Sequence, residues 1–315
     1  MTTASAPGKI ILFGEHAVVY GQPALAVPVA QVQATASVEP APEGIWIDAC
    51  DLGRRYRLED ASADDPLAAA IRLTLANLQL PVSHYALQIT LTSSIPTASG
   101  LGSGAAVCTA LVRALAAHLQ SRLSNREVSS IVFETEKLLH GTPSGIDNTV
   151  VAYGQPVYFV KGQPPVPLAV LHPFHLLIAD TGIPSPTKAT VGEVRAAWQK
   201  EPKRYAQMFR AIGDIAREAR VLLETGQPPA VRFVERLGVL MNRNHALLQQ
   251  LGVSCPELDR LAESARAAGA AGAKLSGGGR GGNMLALVAP ETERAVRAAL
   301  ERAGAKRVIG TVVGQ

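Results

Sequence analysis

Hydrophobic and polar residues alternate along the chain with periods that predict both strands and helices. Residues 10–13 form a short apolar run typical of a buried strand, and residues 85–92 alternate as in a half-buried strand. Residues 124–139 place their apolar side chains on one helical face, and Ser124 and Glu127 form a capping box at its start. Similar patterns predict strands over 23–38, 45–58, 175–180, 284–288 and 307–313, and helices over 67–80, 190–224, 229–250, 256–268 and 291–303. Strands and helices in this arrangement indicate an α+β protein of two lobes.

The composition fits a globular protein that handles a small anionic molecule. Of the 315 residues 47% are hydrophobic and only 4% aromatic, so its cores would consist mainly of Ala, Leu and Val. The formal net charge of +4 comes without a Lys/Arg block, which argues against a nucleic-acid partner. We find no apolar leader and no apolar run of about 18 residues, so we expect a cytoplasmic protein without a membrane span. The three cysteines are far apart, which argues against zinc and disulfide frameworks.

The rest of the chain is organised around residues 94–106, SIPTASGLGSGAA, which precede an alanine-rich run that favours a helix. Its glycines let the backbone approach a ligand closely, and the helix start offers free N–H groups to a phosphate. The P-loop pattern G-x-x-x-x-G-K-[ST] is absent. Gly100, Gly102 and Ala105 match the dinucleotide pattern, but the acidic second strand which that pattern requires does not follow. A phosphate loop and a simple strand–helix turn both fit this stretch alone.

Titratable residues flank the strand predicted at 10–13. Lys9 precedes it, and Glu15 and His16 follow it, ahead of a second apolar run at 17–20 that we interpret as another buried strand. Polar groups between two buried strands are costly unless they have partners. We therefore expect these side chains to interact with specific groups, with an ordinary surface salt bridge as the alternative.

Two carboxylates further along the chain are candidates for chemistry. Glu136 lies at the edge of the apolar face of the 124–139 helix, whereas Glu134 points further towards solvent. Asp147 follows the tight turn HGTPSGIDN, and we expect a strand to start at 149–151. A snorkelling surface Glu and a turn-capping Asp are the alternative interpretations.

The second half of the chain adds two polar segments. Prolines at 164, 165 and 167 suggest a linker and a domain boundary. The loop at 181–189, TGIPSPTKA, contains Thr187, and a second glycine-rich loop, AKLSGGGRGGN, covers 273–283.

Three motifs therefore stand in a fixed order: PGKIILFGEHAVVYG, PTASGLGSGAA and KLSGGGRGGN. Over nearly the full chain they resemble the GHMP kinase superfamily, and the first motif and HGTPSGIDN are most similar to those of mevalonate kinases. The Arg-Asn-Leu-like run of galactokinases is absent, and His16 stands where phosphomevalonate kinases usually have Tyr. The resemblance implies a two-domain fold, with a ribosomal protein S5 domain 2-like N-terminal domain over 1–165 and a ferredoxin-like C-terminal domain over 166–305. We expect the last strand, 306–315, to return to the N-terminal domain.

The same resemblance implies a function. It is the ATP-dependent phosphorylation of the primary hydroxyl of (R)-mevalonate, giving 5-phosphomevalonate and ADP in isoprenoid precursor biosynthesis, with ATP and Mg²⁺ as cofactors. The alternatives are a phosphomevalonate kinase, a related decarboxylase, and a catalytically silent ligand sensor. No nucleic acid or membrane is expected as a partner, and a homodimer is one expectation for the oligomeric state.

By resemblance, Glu136 binds Mg²⁺, Asp147 is the catalytic base and Lys9 lies beside the accepting hydroxyl. This set suits phosphoryl transfer, which depends mostly on positioning and charge neutralisation. An Asp can take the proton of an alcohol, and a lysine ammonium favours alkoxide character at the nucleophile. Retention of these residues argues against the sensor.

Glu15, His16 and Thr187 are the substrate-binding candidates. By resemblance, His16 and Thr187 correspond to positions that contact mevalonate, and Glu15 lies close by. The glycine loop is expected to wrap the phosphates of ATP. Its candidate residues are Pro96, Ser99, Gly100, Leu101, Gly102, Ser103, Gly104, Ala105 and Ala106.

The chain departs from the family pattern at two motifs. Gly104 replaces a serine whose hydroxyl contacts Mg²⁺ in the family, and Arg280 and Asn283 stand where Gly and often Cys occur. Because a guanidinium suits phosphate oxygens, we hypothesise that Arg280 supplies charge neutralisation towards a phosphate. The alternative is that Arg280 points into solvent.

Overall fold

The computed structural model of the protein describes residues 1–96, 99–141, 143–225 and 230–314. The strands are β1 (Thr2–Phe13), β2 (Ala24–Pro40), β3 (Ile45–Ala49), β4 (Arg54–Arg57), β5 (Leu87–Ser93), β6 (Val157–Phe159), β7 (Val166–Pro167), β8 (Phe174–Asp180), β9 (Gly272–Ser276), β10 (Asn283–Val288) and β11 (Arg307–Val313). The helices are α1 (Pro66–Asn77), α2 (Ser103–His118), α3 (Asn125–His140), α4 (Ile146–Tyr153), α5 (Thr187–Lys200), α6 (Pro202–Thr225), α7 (Ala230–Gln250), α8 (Pro256–Ala267) and α9 (Pro290–Arg302). In the described ranges no helix is both long and apolar enough to cross a bilayer.

Local sequence signals account for many of these elements. The capping box predicted for α3 is present, because the Ser124 side chain accepts from the N–H of Glu127 while the Glu127 carboxylate accepts from the N–H of Ser124. The alanine-rich helix after the glycine loop is α2, which starts at Ser103. The stretch predicted as one helix over 190–224 forms two, α5 and α6, which are separated at Glu201.

One predicted strand is wrong. Residues Ala17–Tyr20 form a short 3₁₀ helix, in which the N–H of Val18 donates to the carbonyl of Gly14 at 3.0 Å. A four-residue apolar run cannot by itself distinguish a buried strand from a buried helical turn. The tight turn that follows Phe13 decides the conformation here.

The chain divides into two compact units that are interleaved along the sequence. The first comprises Met1–Lys9, Pro28–Pro96 and Leu101–Gly154, and the second comprises Ile10–Val27, Ser99 with Gly100, and the chain from Gln155 onward. Strands β1 and β2 run through both units. The domain limits expected from the sequence stay a prediction.

In the first unit β4, β3, β5 and β2 are neighbours in a mixed sheet, and β1 also pairs with β2. β3 and β5 are parallel, whereas the β3–β4 and β2–β5 pairs are antiparallel. Helices α1, α2 and α3 pack on one another and α4 packs on α2 and α3. Their apolar faces and the inner sheet face form the core, with Ile47, Ile71, Ile89 and Leu111 fully buried.

The second unit contains an antiparallel sheet in the order β11-β8-β10-β9. Numbered within this unit the order is 4-1-3-2 with a β-α-β-β-α-β sequence of elements, as expected for a ferredoxin-like domain. Its core lies between the sheet and its helices and includes Leu177, Leu248, Leu258 and Leu275. The last strand, β11, pairs with β8 over seven residues, so the expectation that it returns to the N-terminal domain is wrong. Its backbone completes the edge of this sheet beside β8.

Candidate active site

Lys9, near the middle of β1, forms an ion pair with Asp147 in the first turn of α4. Lys9 Nζ lies 2.9 Å from Asp147 Oδ1, and the two side chains are 4% and 32% exposed. The lysine stem is therefore held in the interior while the carboxylate remains accessible to a small molecule. This ion pair brings together the two residues that the sequence assigned to the chemical step.

The element that carries Asp147 is a helix, so the strand expected at 149–151 is wrong. Gly145 caps the helix in the left-handed conformation with φ 91°, and the Thr149 hydroxyl donates to the Gly145 carbonyl at 2.6 Å. The β-branched residues at 149–151 favoured a strand locally. Packing of α4 against α2 and α3 buries them instead, which shows that tertiary contacts override the propensity.

The Asn148 side chain connects α4 to α3. Its amide donates to both the carbonyl and the hydroxyl of Ser129, at 3.0 and 2.9 Å, and both residues are buried. Since α3 also carries Glu136, these bonds couple the helices on which the two candidate carboxylates lie.

The glycine loop runs along Lys9. The N–H of Lys9 donates to the Leu101 carbonyl at 2.9 Å. Gly102 has φ 73°, and a Cβ there would lie 2.9 Å from Lys9 Cγ, so only glycine fits beside the lysine stem. Gly102 is the N-cap of α2 and provides no side-chain cap. The first N–H groups of α2 therefore have no intrahelical acceptor, which makes this helix start a suitable phosphate site.

The remaining loop candidates differ in exposure. Gly100 is exposed, Pro96, Ser103 and Gly104 are half-buried, and Ala105 and Ala106 are buried at the base of α2. Ser99 is buried, and its carbonyl accepts from Asn283 Nδ2 at 2.6 Å. The side-chain amide of Asn283, the family departure at the third motif, thus donates a hydrogen bond to the backbone of the glycine loop.

Glu136 is 3% exposed, whereas its neighbour on α3, Glu134, is about half exposed and pairs with Lys137, as predicted from the helical pattern. The pKa of Glu136 is raised to about 7, chiefly by burial and also by the Asp147 carboxylate, with Lys9 acting in the opposite direction. A Cβ on Gly104 would lie 3.1 Å from Glu136 Oε1. The start of α2 and the Glu136 carboxylate are therefore immediate neighbours.

In the second unit, His16 and Thr187 lie close to the same glycine. The buried His16 donates from Nε2 to the Gly278 carbonyl at 3.1 Å. A Cβ on Gly278 would lie 2.4 Å from Thr187 Oγ1, so the backbone passes directly beside that exposed hydroxyl at the start of α5. The pKa of His16 is lowered to about 4, chiefly by burial and also by the charge of Arg280, although the hydrogen bond to Gly278 acts in the opposite direction. The ring is thus neutral at pH 7 and keeps Nδ1 as an acceptor.

The Glu15 side chain is enclosed by partners within the protein. It is fully buried, its Oε1 is paired with Lys274 Nζ, and its Oε2 accepts from Asn244 Nδ2 at 3.1 Å. The sequence pattern does not single out Lys274, because the glycines of AKLSGGGRGGN indicate a loop, whereas the first part of this segment is strand β9. The signal was available in the apolar, alternating start of that segment.

The Arg280 side chain forms hydrogen bonds within the second unit. Its guanidinium donates to the Gly252 carbonyl at 3.3 and 3.2 Å and to Glu193 Oε2 at 2.5 Å. Its backbone has φ 55°, a region that favours glycine, and its N–H donates to the Val253 carbonyl at 2.9 Å. Arg280 therefore ties the glycine-rich loop to its surroundings, and a phosphate contact stays a prediction.

Comparison with known proteins identifies the family of this chain. Residues 67–155 match the family model of the GHMP kinases N terminal domain, and residues 229–306 match that of the GHMP kinases C terminal domain. The chain therefore belongs to the GHMP kinase family and is a kinase.

Similarity to individual proteins indicates which kinases within this family the chain resembles. The chain is 35% identical to the mevalonate kinase of Pyrococcus furiosus over 97% of this chain and 94% of that protein. It is 34% identical to the mevalonate kinase of Aeropyrum pernix, over 95% and 92%. The crystal structure of L. major mevalonate kinase in complex with R-mevalonate superposes with a TM-score of 0.83 at 30% identity and covers 99% of this chain and 96% of that one.

Proposed function

We propose that the protein phosphorylates the primary hydroxyl of (R)-mevalonate with ATP, producing 5-phosphomevalonate and ADP for isoprenoid precursor synthesis. The observation that carries the proposal is the Lys9–Asp147 ion pair of 2.9 Å, which lies beside a glycine loop and an uncapped helix start. The similarity to mevalonate kinases over nearly the full chain supports the choice of substrate.

Asp147 accepts the proton of the substrate hydroxyl as the bond to phosphorus forms. The Lys9 ammonium neutralises the charge that develops on the attacking oxygen. The N–H groups at the start of α2 hold the phosphates of ATP, and the glycines before them allow the close approach. The exposed fraction of Asp147 leaves room for the substrate hydroxyl at its second carboxylate oxygen.

The carboxylates fit a magnesium ion. Mg²⁺ takes oxygen ligands and typically one or two protein carboxylates together with phosphates and water. Glu136 is a buried carboxylate whose charged form is disfavoured by burial and by Asp147, and a divalent cation would compensate both effects. We assign Glu136 as the residue that holds Mg²⁺, which supplies charge neutralisation at the phosphates when bound.

His16 and Thr187 are our candidates for residues that contact mevalonate. Their proximity at Gly278 supports a shared ligand, and the neutral His16 ring offers Nδ1 as an acceptor for a substrate hydroxyl. The cytoplasmic location and a homodimer stay predictions from the sequence.

The test is a coupled ADP-release assay of the purified protein with mevalonate, phosphomevalonate, galactose and homoserine. We expect turnover with mevalonate alone and a product whose phosphate is on the primary oxygen by ³¹P NMR. Turnover with phosphomevalonate instead would identify the protein as a phosphomevalonate kinase. ATP binding without phosphoryl transfer to any of the four would support the sensor.

A further inference from the structure

The turn after β1 holds His16 in a strained conformation. His16 has φ 60° and ψ −47°, and the N–H of Ala17 donates to the Glu15 carbonyl at 2.6 Å. A bond of this kind around a residue of positive φ defines the rare, strained form of the γ-turn. Such backbone persists only where the surrounding structure over-determines it, and it concentrates at functional sites.

The residue before His16 provides that constraint. The Glu15 carboxylate is fully buried, and each of its oxygens has a partner: Lys274 at Oε1 and Asn244 at Oε2. Lys274 is also fully buried, and its Nζ donates in addition to the Leu275 carbonyl at 2.6 Å. We call Glu15, Lys274 and Asn244 the Glu15 cluster.

Alternate residues from Lys274 onward contact the chain around the turn. Lys274 pairs with Glu15, and His16 donates to Gly278. Between them, the Ser276 hydroxyl donates to the Ile11 carbonyl at 2.8 Å and accepts from the Ile11 N–H at 3.2 Å. Residues two apart on a strand share a face, so β9 presents Lys274 and Ser276 to the turn, and the Gly278 carbonyl follows in the loop directly after the strand.

We propose that the Glu15 cluster is a positioning site that fixes the His16 turn and the start of the second glycine-rich loop for substrate binding, and that Glu15 itself is not a substrate ligand. The proposal rests on the proposed function of His16. A buried ion pair is weak evidence for added stability, because apolar pairs of similar volume often replace one without loss. The geometry that this cluster imposes is therefore a better explanation for it than stability.

The experiment compares the single variants Glu15→Gln and Lys274→Met with the double variant. Each single change leaves a buried charge without its partner, so both should lower the unfolding temperature and raise KM for mevalonate. The double variant removes both charges and should recover the unfolding temperature. We expect its KM for mevalonate to stay raised by about tenfold, the effect of misplacing one substrate hydrogen bond. KM for ATP should change less than twofold, since the start of α2 and Glu136, which we assign to the phosphates and Mg²⁺, lie in the first unit.

Two controls separate positioning from stability. Leu258→Ala truncates a fully buried side chain in the core of the same unit and should lower the unfolding temperature with KM for mevalonate unchanged. His16→Ala should raise KM for mevalonate at least as much as the double variant does. If the double variant regains the wild-type KM together with its stability, the Glu15 cluster only fills space and the proposal is overturned.

The wild-type assay distinguishes this failure from failure of the proposed function. If the wild type phosphorylates a different alcohol, the function is revised and the same variants are compared by KM for that alcohol. If it phosphorylates none, the imidazole NMR signals of His16, assigned with His16→Gln, provide the readout. A displaced His16 signal in the double variant supports positioning, and an unchanged signal refutes it.

Discussion

At the scale of single residues, the candidate site depends on the ion pair of Lys9 and Asp147, whose side chains differ in exposure. Lys9 is almost fully buried and lies against Gly102, while Asp147 keeps a third of its side chain exposed. A buried ammonium is costly without a partner, so the lysine holds the carboxylate in a defined place. The carboxylate in turn remains accessible for a proton to be transferred to it. The two residues have separate tasks although they form one ion pair.

We predict that Asp147→Asn folds normally and loses about 10²–10⁴-fold in kcat. The amide has nearly the same shape but lacks the negative charge that accepts the proton. The measurement is kcat for mevalonate with far-UV circular dichroism as the folding check, and Asp214→Asn, on the exposed face of α6, is the matched control. A kcat within a few-fold of the wild type would identify Asp147 as a residue that only caps its helix.

At the scale of elements, the start of α2 and the middle of α3 together determine what Glu136 can do. A Cβ at Gly104 would lie 3.1 Å from Glu136 Oε1 and 3.0 Å from Leu139 Cδ1. The close approach of the two helices leaves little room at this position, so an added side chain requires Leu139 or Glu136 to shift by a few tenths of an ångström. A residue with a hydroxyl here would place that hydroxyl next to the carboxylate assigned to the metal.

We predict that Gly104→Ser lowers the Mg²⁺ concentration required for half-maximal rate, because its hydroxyl adds an oxygen ligand beside Glu136. Gly104→Ala is the matched control, since it introduces the same Cβ contacts without the hydroxyl. The measurement is the initial rate at saturating ATP over a Mg²⁺ titration. If the two variants show equal Mg²⁺ dependence, the hydroxyl does not reach the metal.

At the scale of the whole molecule, the candidate site lowers the stability of the folded protein as pH rises. Glu136 has a pKa of about 7 in the folded protein, against a usual value of 4.5. A carboxyl group with a raised pKa favours the folded state at low pH, and this contribution is lost as pH rises from about 4.5 through about 7. Unfolding therefore becomes easier towards alkaline pH for a reason located at the active site. This is the expected cost of a functional site.

We predict that Glu136→Gln raises the unfolding temperature at pH 8 and changes it little at pH 5, in the absence of Mg²⁺ and nucleotide. The expected gain at pH 8 is on the order of 3 kcal/mol, the free energy of a pKa shift of this size. Scanning calorimetry between pH 5 and pH 8 provides the measurement. Glu134→Gln, on the exposed side of the same helix, should show the pH dependence of the wild type. Parallel curves for the wild type and Glu136→Gln would contradict the raised pKa.

The sequence by itself determined the features that depend on near neighbours. The capping box of α3, the helix after the glycine loop and the burial of Glu136 follow from hydrogen bonds and periodicity within a few residues. The motifs also identified Lys9 and Asp147, although the resemblance rather than their spacing paired them. Only the tertiary structure decided that Asp147 begins a helix, because packing on α2 and α3 overrides the strand propensity of the residues after it. The role of Glu15 likewise depends on Lys274, 259 residues away, and such a contact forms only when the fold brings β9 to the turn after β1.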